Sequence, residues 1–281
     1  MTPIVAIIAP GAMGSAVAHR LAGHGLEVRT SLAGRGAASR DRARSAGMVE
    51  GSDAAVAAAD VILSIVPPAE ALPLAHRLAP ALTAAARKPL YVDCNAVSPQ
   101  TVAAIAPAVT ATGCAFVDAG IIGGPPKPES SGPVFYASGP DARRFAALTA
   151  FGLDIRVLDG PLHAASALKM SYAGITKGLT ALGAVMMLAA TRAGTATDLH
   201  RELAASQPAL LAWLTRQTPN MYSKAYRWVA EMEELADFIG EDDGRQIFEG
   251  AAALYRRLAA DVAGDGREVA DLSKFLDSGT R

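Results

Sequence analysis

The first 160 residues alternate between short runs of β-branched and aliphatic residues and Ala-rich segments of helical length. The apolar runs predict strands at 4–8, 26–30, 61–66, 90–93, 115–118, 134–137 and 155–158. This alternation is typical of a mostly parallel sheet with helices on both faces, because parallel strands need crossover connections. The run at 61–66 is apolar almost throughout, as expected of a strand buried on both faces.

The pattern changes near Gly160-Pro161, beyond which no segment has a convincing strand pattern. Residues 163–193 predict one long helix, and residues 198–263 predict several more. We therefore predict two domains, an α/β domain over 1–160 and an all-α domain over 161–281. The tail from Gly264 onward is polar, and we expect it to be loosely held.

Charge and composition narrow the range of partners. The formal net charge is -1, so nothing suggests a surface for nucleic acid or for an anionic membrane. The longest uncharged apolar stretch, 178–191, is shorter than the roughly 20 residues that a membrane span requires. We therefore expect neither a nucleic-acid nor a membrane partner.

The cysteines, histidines and N-terminus bear on metal binding and compartment. Cys94 and Cys114 have no C-x-x-C spacing, and we interpret both as reduced core residues. The spacing of the five histidines assembles no metal site. The N-terminus enters the first strand without a basic segment, unlike a signal peptide. These features predict a cytoplasmic protein.

A glycine turn follows the first predicted strand and precedes a predicted helix. It reads Ala9-Pro10-Gly11-Ala12-Met13-Gly14. Gly11 would let the backbone approach a pyrophosphate, Gly14 would let the helix pack on the strand, and the helix N-terminus would attract the phosphates. The motif G-x-G-x-x-G is imperfect, since Ala9 takes its first position. We predict a Rossmann-type dinucleotide site formed by Pro10, Gly11, Ala12, Met13 and Gly14; the alternative is a purely structural turn.

The end of the second predicted strand bears on which nucleotide binds. Sites that prefer NAD place Asp or Glu there, to hold the ribose 2′-hydroxyl. This chain has no carboxylate at that position and has Ser31 and Arg35, with Ser39 and Arg40 beyond. A hydroxyl and guanidinium groups suit a 2′-phosphate, so we predict NADP(H) as the cofactor. The alternative is a solvated loop.

Other cofactor contacts are expected where two central strands end. Val66, Pro67 and Asn95 follow the strands at 61–66 and 90–93 or close them. The carboxyl edge of a doubly wound sheet is where such folds bind ligands. We predict that all three residues contact the cofactor.

Segments 93–99, 118–124 and 160–170, together with the glycine turn, resemble the β-hydroxyacid dehydrogenases. This superfamily includes the 6-phosphogluconate and 3-hydroxyisobutyrate dehydrogenases. The resemblance is closest to the 6-phosphogluconate-dehydrogenase-like branch with an uncharacterised helical C-terminal domain, which segment 226–234 also resembles. It implies a Rossmann-type doubly wound domain followed by an all-α domain.

The resemblance also implies that Lys169 is the catalytic residue. Removing hydride from a carbinol carbon requires a base for the hydroxyl proton, and the reverse reaction requires an acid. A lysine partly desolvated in an apolar helix can have its pKa lowered towards the working pH. The alternative is a lysine whose stem lies along the helix while its charge reaches water.

The chain departs from the family pattern at three substrate positions. Ile122 stands where the family has serine before its two glycines, here Gly123 and Gly124. Ala173 replaces an asparagine, and Thr176 takes the place of the glutamate of decarboxylating relatives. These losses argue against decarboxylation of a phosphorylated sugar acid and predict a less polar or bulkier substrate.

Further aromatic and polar residues complete the predicted substrate side. These are Tyr172, Thr176, Tyr226 and Trp228, with Lys177 and Arg227 as weaker candidates. Core packing is an equal alternative for Trp228. Glu231, Glu233 and Glu234 are expected to form a solvated helix face, with pairing to Arg227.

These observations predict an NADP(H)-dependent oxidoreductase that transfers hydride to or from a carbinol or carbonyl carbon, with Lys169 as general acid and base. We expect the active site in the cleft between the domains and a homodimer formed through the apolar C-terminal helices. Two alternatives remain open: an imine reductase and a non-catalytic NADPH-binding sensor.

Overall fold

The structure is a computed structural model that describes residues 2–126, 132–241 and 243–277. It divides into two compact units, one extending to Met170 and the other beginning at Ser171. The division lies inside a single helix, 29 residues long. The proposed domain boundary near residue 160 stays a prediction.

The first unit contains one eight-stranded sheet with strand order β3-β2-β1-β4-β5-β6-β7-β8. Every neighbouring pair is parallel except β6 and β7, which confirms the mostly parallel sheet. The strands are β1 Val5–Ile8, β2 Val28–Thr30, β3 Val49–Glu50, β4 Val61–Ser64, β5 Leu90–Asp93, β6 Ala115–Ile122, β7 Val134–Ser138 and β8 Asp154–Val157.

Helices cover both faces of this sheet, so alternate residues of each strand enter different cores. Ile62 packs in a core with Leu78, whereas Leu63 packs in another with Leu21. The helices are α1 Ala12–Gly23, α2 Ala37–Ser45, α3 Asp53–Ala57, α4 Ala71–Ala84, α5 Pro99–Thr110 and α6 Ala142–Ala146, with short 3-10 turns at Pro68–Glu70 and Ala147–Phe151. The Rossmann-type architecture predicted from the alternation is therefore observed.

The strands predicted at 26–30 and 61–66 are each two residues shorter in the structure, and β3 and β6 differ more. β3 was not predicted, because its two residues are exposed at the sheet edge and form no apolar run. β6 continues to Ile122, so the prediction that it ends at Asp118 is wrong. Antiparallel pairing with β7, from Asp118 opposite Ser138 to Ile122 opposite Val134, extends the strand past Gly120 to two isoleucines. Asp118 and Gly120 interrupt the apolar run, so the run as predicted from sequence stopped short of these isoleucines.

The second unit is all helical, as predicted. Its helices are the continuation of α7 Ala164–Arg192, then α8 Ala196–Ser206, α9 Pro208–Tyr222, α10 Ala225–Ile239, α11 Arg245–Ala263 and α12 Arg267–Asp277. The expected loose tail is wrong for residues 267–277, since Leu272, Phe275 and Leu276 are buried on one face of α12. The Phe275 ring also packs edge-on against His200 of α8.

Small residues let neighbouring helices approach α7 closely. A Cβ at Gly183 would meet the side chain of Leu214 on α9 at 2.5 Å, and one at Gly174 would meet Phe248 on α11 at 3.2 Å. Among the described residues, α7 is the one helix whose length and composition could span a membrane. A core helix passes the same test, so the absence of a membrane partner stays a prediction.

Candidate active site

The glycine turn has the shape that a dinucleotide site requires. Gly11 begins α1 with extended backbone, and no side chain among the described residues caps the helix there. A Cβ at Gly11 would project into open space, whereas one at Gly14 would overlap the carbonyl oxygen of Ala9. Gly14 therefore permits the close strand–helix packing predicted for it, and the N-terminus of α1 is open to phosphates.

The rest of the turn surrounds this open helix end. Pro10 is buried, Met13 is half-buried and Ala12 is exposed. Arg42 of α2 donates from Nε to the Pro10 carbonyl at 2.9 Å, and its Nη2 donates to Ser39 Oγ at 3.0 Å. This guanidinium fixes the turn against α2. Its role was not predicted, because α2 meets the turn only in the folded chain.

A carboxylate lies near the end of β2, although none is present in the β2 segment itself. Glu50 closes β3 and stands opposite Thr30 in register. Its carboxylate accepts a hydrogen bond from Arg40 Nη1 at 3.0 Å, while Arg40 Nη2 donates to the Leu32 carbonyl at 3.4 Å. The unpredicted strand β3 thus brings an acidic group to this edge, and Arg40 balances its charge.

The two predicted phosphate contacts follow β2 directly. Ser31 is buried at 4% exposure, and Arg35 is half-buried after the turn that its N–H closes on Leu32. Both residues flank Leu32, whose carbonyl accepts hydrogen bonds from Arg40 and from the Arg35 N–H. Their contact with a cofactor stays a prediction.

Asn95 ties together the ends of β4 and β5. Its Oδ1 accepts from the Val66 N–H at 2.7 Å, and its Nδ2 donates to Ser64 Oγ at 2.8 Å and to Asp93 Oδ1. The side chain is buried, so its polar atoms shape the edge of the sheet from within. Val66 is half-buried and Pro67 is exposed at this edge, where both were predicted to meet the cofactor.

Lys169 lies against β6. A Cβ built on Gly120 would be 2.9 Å from the Lys169 Cβ and 2.8 Å from the Ala165 carbonyl oxygen, so only glycine fits there. Lys169 is half-buried. Since β6 ends two residues later at Ile122, the lysine is placed near the carboxyl edge of the sheet, where β1 and β4 also end.

The glycine loop after β6 begins at this same edge. Ile122 is half-buried, and Gly123 and Gly124 are exposed. Gly123 has φ +123°, a backbone conformation that other residues rarely adopt. A Cβ at Gly124 would meet open space, so the loop leaves its backbone accessible to a ligand.

Asp118 is a buried carboxylate on β6 that sequence reasoning did not single out. Its Oδ2 accepts from the Ser166 N–H at 2.7 Å, and its Oδ1 accepts from Ser166 Oγ at 2.6 Å. Burial raises the pKa of Asp118 to about 6, although hydrogen bonds from Ser166 and Ser138 and the charge of His163 oppose this rise. Asp118 begins the motif 118–124, so the sequence did draw attention to this segment. It did not show that most of the segment belongs to strand β6.

The predicted substrate residues of the second unit differ in exposure. Tyr172 and Tyr226 are 50% and 68% exposed, while Ala173 is buried. The Thr176 hydroxyl donates to the Tyr172 carbonyl at 2.9 Å, within its own helix. Their contact with substrate stays a prediction.

Trp228 belongs to a charged and aromatic cluster between α7, α10 and α11. Lys177 pairs with Glu231, and the Lys177 Nζ lies 5.0 Å from the centre of the Trp228 ring. Trp228 packs edge-on against Tyr255, whose hydroxyl donates to the Lys177 carbonyl at 2.5 Å. Trp228 therefore makes packing contacts of the kind expected if its role is core packing, the alternative to a substrate contact.

The cluster corrects the expected solvated face of α10. Glu231 has a side-chain exposure of 16% and pairs with Lys177 across helices, so its expected solvation and pairing to Arg227 are wrong. Glu233 is exposed and pairs with Arg256. Burial lowers the pKa of Lys177, and the Glu231 carboxylate opposes that change. Helical spacing could not show that α7 covers Glu231.

Sequence-family comparison explains the arrangement of the first unit. Residues 4–151 match the NAD binding domain of 6-phosphogluconate dehydrogenase. The chain belongs to this family. Residues 190–258 match a further domain described as a domain of unknown function, DUF1932. The resemblance to the 6-phosphogluconate-dehydrogenase-like branch is thereby confirmed, and with it an NAD-binding fold of an oxidoreductase family.

Solved structures give the same fold. The conserved protein MTH1747 of unknown function, described as similar to 3-hydroxyacid dehydrogenases, is 31% identical over 92% of this chain and 97% of its own, with TM-score 0.71. Mycobacterium tuberculosis 3-hydroxyisobutyrate dehydrogenase is 20% identical over 99% of each chain, with TM-score 0.73. A Myxococcus stipitatus imine reductase in complex with NADP+ is 20% identical over 98% of this chain and 100% of its own, with TM-score 0.55. No curated protein sequence matches significantly.

Proposed function

We propose that this protein is an NADP(H)-dependent oxidoreductase that uses Lys169 as general acid and base. The observation that carries the proposal is the contact of Lys169 with Gly120 on β6. It puts a half-buried amine near the carboxyl edge that also bears the open glycine turn. The two strands concerned, β1 and β6, are three positions apart, roughly 14 Å across the sheet. An extended dinucleotide crosses such a distance.

Different residues would hold the cofactor and transfer the proton. The open N-terminus of α1 and the backbone around Gly11 would hold the pyrophosphate, while Val66 and Pro67 would border the dinucleotide. When bound, NADP(H) supplies or accepts a hydride at its nicotinamide ring. The Lys169 amine takes the hydroxyl proton during oxidation, and its ammonium returns a proton to the carbonyl oxygen during reduction. Asn95 keeps the β4 edge in place through Val66.

Preference for NADP(H) is supported by Ser31 and Arg35 after β2 and by Arg40, which offsets Glu50. We expect NADPH to support faster initial rates than NADH. Arg35→Ala should raise the KM for NADPH roughly tenfold, because a charge-assisted hydrogen bond contributes about 1.5 kcal/mol, and should leave the KM for NADH unchanged. Arg44→Ala, at an exposed pair with Asp41 on α2, is the control. Equal or faster rates with NADH would contradict the preference.

The glycine loop after β6 and the predicted substrate residues support a substrate class. Gly123 and Gly124 offer backbone N–H groups to a carboxylate or another polar group, while Ile122 offers an apolar side chain in place of a hydroxyl. Tyr172 and Tyr226, which the sequence predicts as substrate contacts, are both exposed. We propose a small β-hydroxyacid-like molecule, or a less polar analogue, as substrate.

A substrate panel followed by NADPH absorbance tests the function. The panel contains β-hydroxy acids, aldehydes, ketones and cyclic imines, each with the purified protein and both cofactors. Lys169→Met should abolish turnover while leaving NADPH affinity nearly unchanged, because it removes only the proton-transfer group. Lys274→Met removes an equal charge from an exposed site on α12 and serves as the matched control. Retained turnover in Lys169→Met would remove the lysine from the mechanism.

The same panel separates the two alternative functions. Reduction of cyclic imines without activity on carbonyl compounds would indicate an imine reductase. Tight NADPH binding without any turnover would indicate a sensor, for which Ile122 and Ala173 provide the sequence argument. Solved neighbours include imine reductases, but at 20% identity they show the fold alone.

A further inference from the structure

Asp118 is a buried carboxylate on β6 that accepts hydrogen bonds from the start of α7. Its side chain is fully buried, and both carboxylate oxygens accept hydrogen bonds from Ser166 on α7, at 2.6 and 2.7 Å. Ser138 of β7 places its Oγ 3.5 Å from Oδ2 of the same carboxylate. That hydroxyl also donates to the Leu162 carbonyl at 2.8 Å and accepts from the Ala165 N–H at 2.9 Å.

These contacts cap α7 from outside the helix. The first N–H groups of a helix lack partners within it and need others. In α7 the Ala165 N–H is bound by Ser138 and the Ser166 N–H by Asp118, both on strands. Negative charge at this end of the helix is favourable. The start of α7 is therefore set by β6 and β7.

The register of strand and helix connects this cap to Lys169. Asp118 and Gly120 are two residues apart on β6, so they face the same side of the sheet. Ser166 and Lys169 are three residues apart on α7, so they face the same side of the helix. Asp118 binds Ser166. Two residues further along β6 and three further along α7, Gly120 and Lys169 are so close that a Cβ on Gly120 would not fit. A shift at the first contact is passed directly to the second.

A carboxylate is a costly way to hold a helix that a neutral side chain could cap. Burial raises the pKa of Asp118 to about 6 despite its hydrogen bonds. The titratable groups around it are His163 before α7, Asp93 at the end of the neighbouring strand β5, and Cys94 directly after that strand. Of these, His163 alone favours the ionised form. Ionised Asp118 therefore does not favour stability. Its closeness to the Lys169 contact suggests a role in positioning that lysine.

We propose that Asp118 is a positioning residue that fixes Lys169 in its reactive place by holding Ser166 and the start of α7 on β6. The proposal rests on the proposed function insofar as Lys169 is the acid and base, while the positioning itself is independent of turnover. Asp118 acts through the helix and touches neither substrate nor cofactor.

Kinetics of three variants test the proposal with any substrate found in the panel. Asp118→Asn and Ser166→Ala should each lower kcat roughly tenfold to a hundredfold, as expected for small displacements of a reacting group. Their KM for NADPH should stay unchanged, because the glycine turn follows β1, three strands away from β6. Ser98→Ala is the matched control, since Ser98 is also buried and caps α5, a helix packed on the same sheet. It should lose stability without this loss of kcat.

The pH profile distinguishes positioning from structural support. Wild-type kcat should approach the Asp118→Asn value as pH falls through about 6, where Asp118 takes up a proton. The Asp118→Asn profile should lack that limb. At pH 8 the unfolding midpoint of Asp118→Asn should be unchanged or higher, so lost activity would not report unfolding. Should this variant fail to fold, Ser166→Ala carries the test.

A measurement without substrate separates this proposal from the proposed function. In protein with isotope-labelled lysine, the Lys169 side-chain NMR resonance is identified by its absence in Lys169→Arg. Asp118→Asn and Ser166→Ala should shift that resonance, and Ser98→Ala should not. A shift without turnover of any substrate would support the positioning and overturn the proposed function. Turnover with unchanged kcat and an unchanged resonance in both variants would overturn the positioning alone.

Discussion

Single buried charges have different energetic consequences in the two units of this protein. In the first unit, Asp118 accepts hydrogen bonds from hydroxyl and N–H groups, and burial raises its pKa although the charge of His163 opposes the rise. In the second unit, Lys177 has Glu231 as partner and the Trp228 ring beside it. The first charge lowers stability when ionised, and the second pair lowers stability when broken.

We expect stability to fall as pH rises from about 4 to about 6. The Asp118 pKa is about 6 in the folded protein against an ordinary 3.8, so in this window the native state binds a proton that the unfolded state has lost. The full difference corresponds to about 3 kcal/mol. Denaturant unfolding from pH 4 to 8 should show this slope for wild type and a smaller slope for Asp118→Asn. Identical slopes would contradict the assignment.

The Lys177–Glu231 pair should be far more sensitive to change than exposed pairs. Glu231→Gln leaves the Lys177 ammonium buried without its carboxylate, and we expect the free energy of unfolding to fall by about 3 kcal/mol. The double variant Lys177→Met with Glu231→Leu should recover most of this loss. Asp198→Asn, at a pair with both side chains 73% exposed, is the control and should leave the unfolding midpoint unchanged. An equal loss of unfolding free energy in Glu231→Gln and Asp198→Asn would argue against burial as the cause.

At the scale of elements, the contact between β6 and α7 decides where Lys169 lies. β6 is longer than its apolar run because β7 pairs with it through Ile122. The extension puts Gly120 inside a strand, where its missing side chain leaves room for α7. The helix can then follow the strand closely enough for the two contacts at Ser166 and Lys169.

Gly120→Ala should displace the start of α7. Its Cβ would come 2.8 Å from the Ala165 carbonyl oxygen, which backbone atoms cannot easily avoid. We expect a loss of about 1–3 kcal/mol in the free energy of unfolding together with lost turnover. Gly250→Ala is the control, because its Cβ meets open space in α11, and it should be neutral or stabilising. Thermal unfolding measures the stability of each variant, and NADPH oxidation measures its turnover. Full activity in Gly120→Ala would contradict the close contact.

At the scale of the molecule, α7 carries apolar side chains that the single chain leaves exposed. Ile175, Leu182 and Met186 are 72%, 61% and 52% exposed and recur along one face of the helix. Such a stripe is apolar enough to form an interface, and a second copy of the same helix provides a complementary one. We propose the homodimer on this ground.

Charge placed on this stripe should separate the two chains. The double variant Ile175→Asp with Leu182→Asp should change the mass in solution from two chains to one, measured by light scattering after size exclusion. Folding should be retained, since both residues are exposed in the single chain. Ile247→Asp, on α11 with 66% exposure, is the control and should leave the mass unchanged. A wild-type protein of one-chain mass would refute the proposal.

The sequence by itself determined the fold class and the glycine turn between β1 and α1. Both depend on local features: the alternation of apolar runs and Ala-rich segments, and glycines at Gly11 and Gly14 between a strand and a helix. The helical character of the second unit followed from periodicity in the same way. Local patterns suffice here because each is set by neighbours within a few residues.

Only the tertiary structure decided which distant residues meet. β3 and its Glu50 came to the edge of β2, β7 extended β6, and α7 buried Glu231 through Lys177. The cap of α7 by Asp118 joins residues 48 positions apart, which no helical or strand period records. A buried polar group must find its partner anywhere in the chain, because leaving it without one costs too much free energy. The sequence shows which polar groups are present, and the tertiary structure determines which residues they pair with.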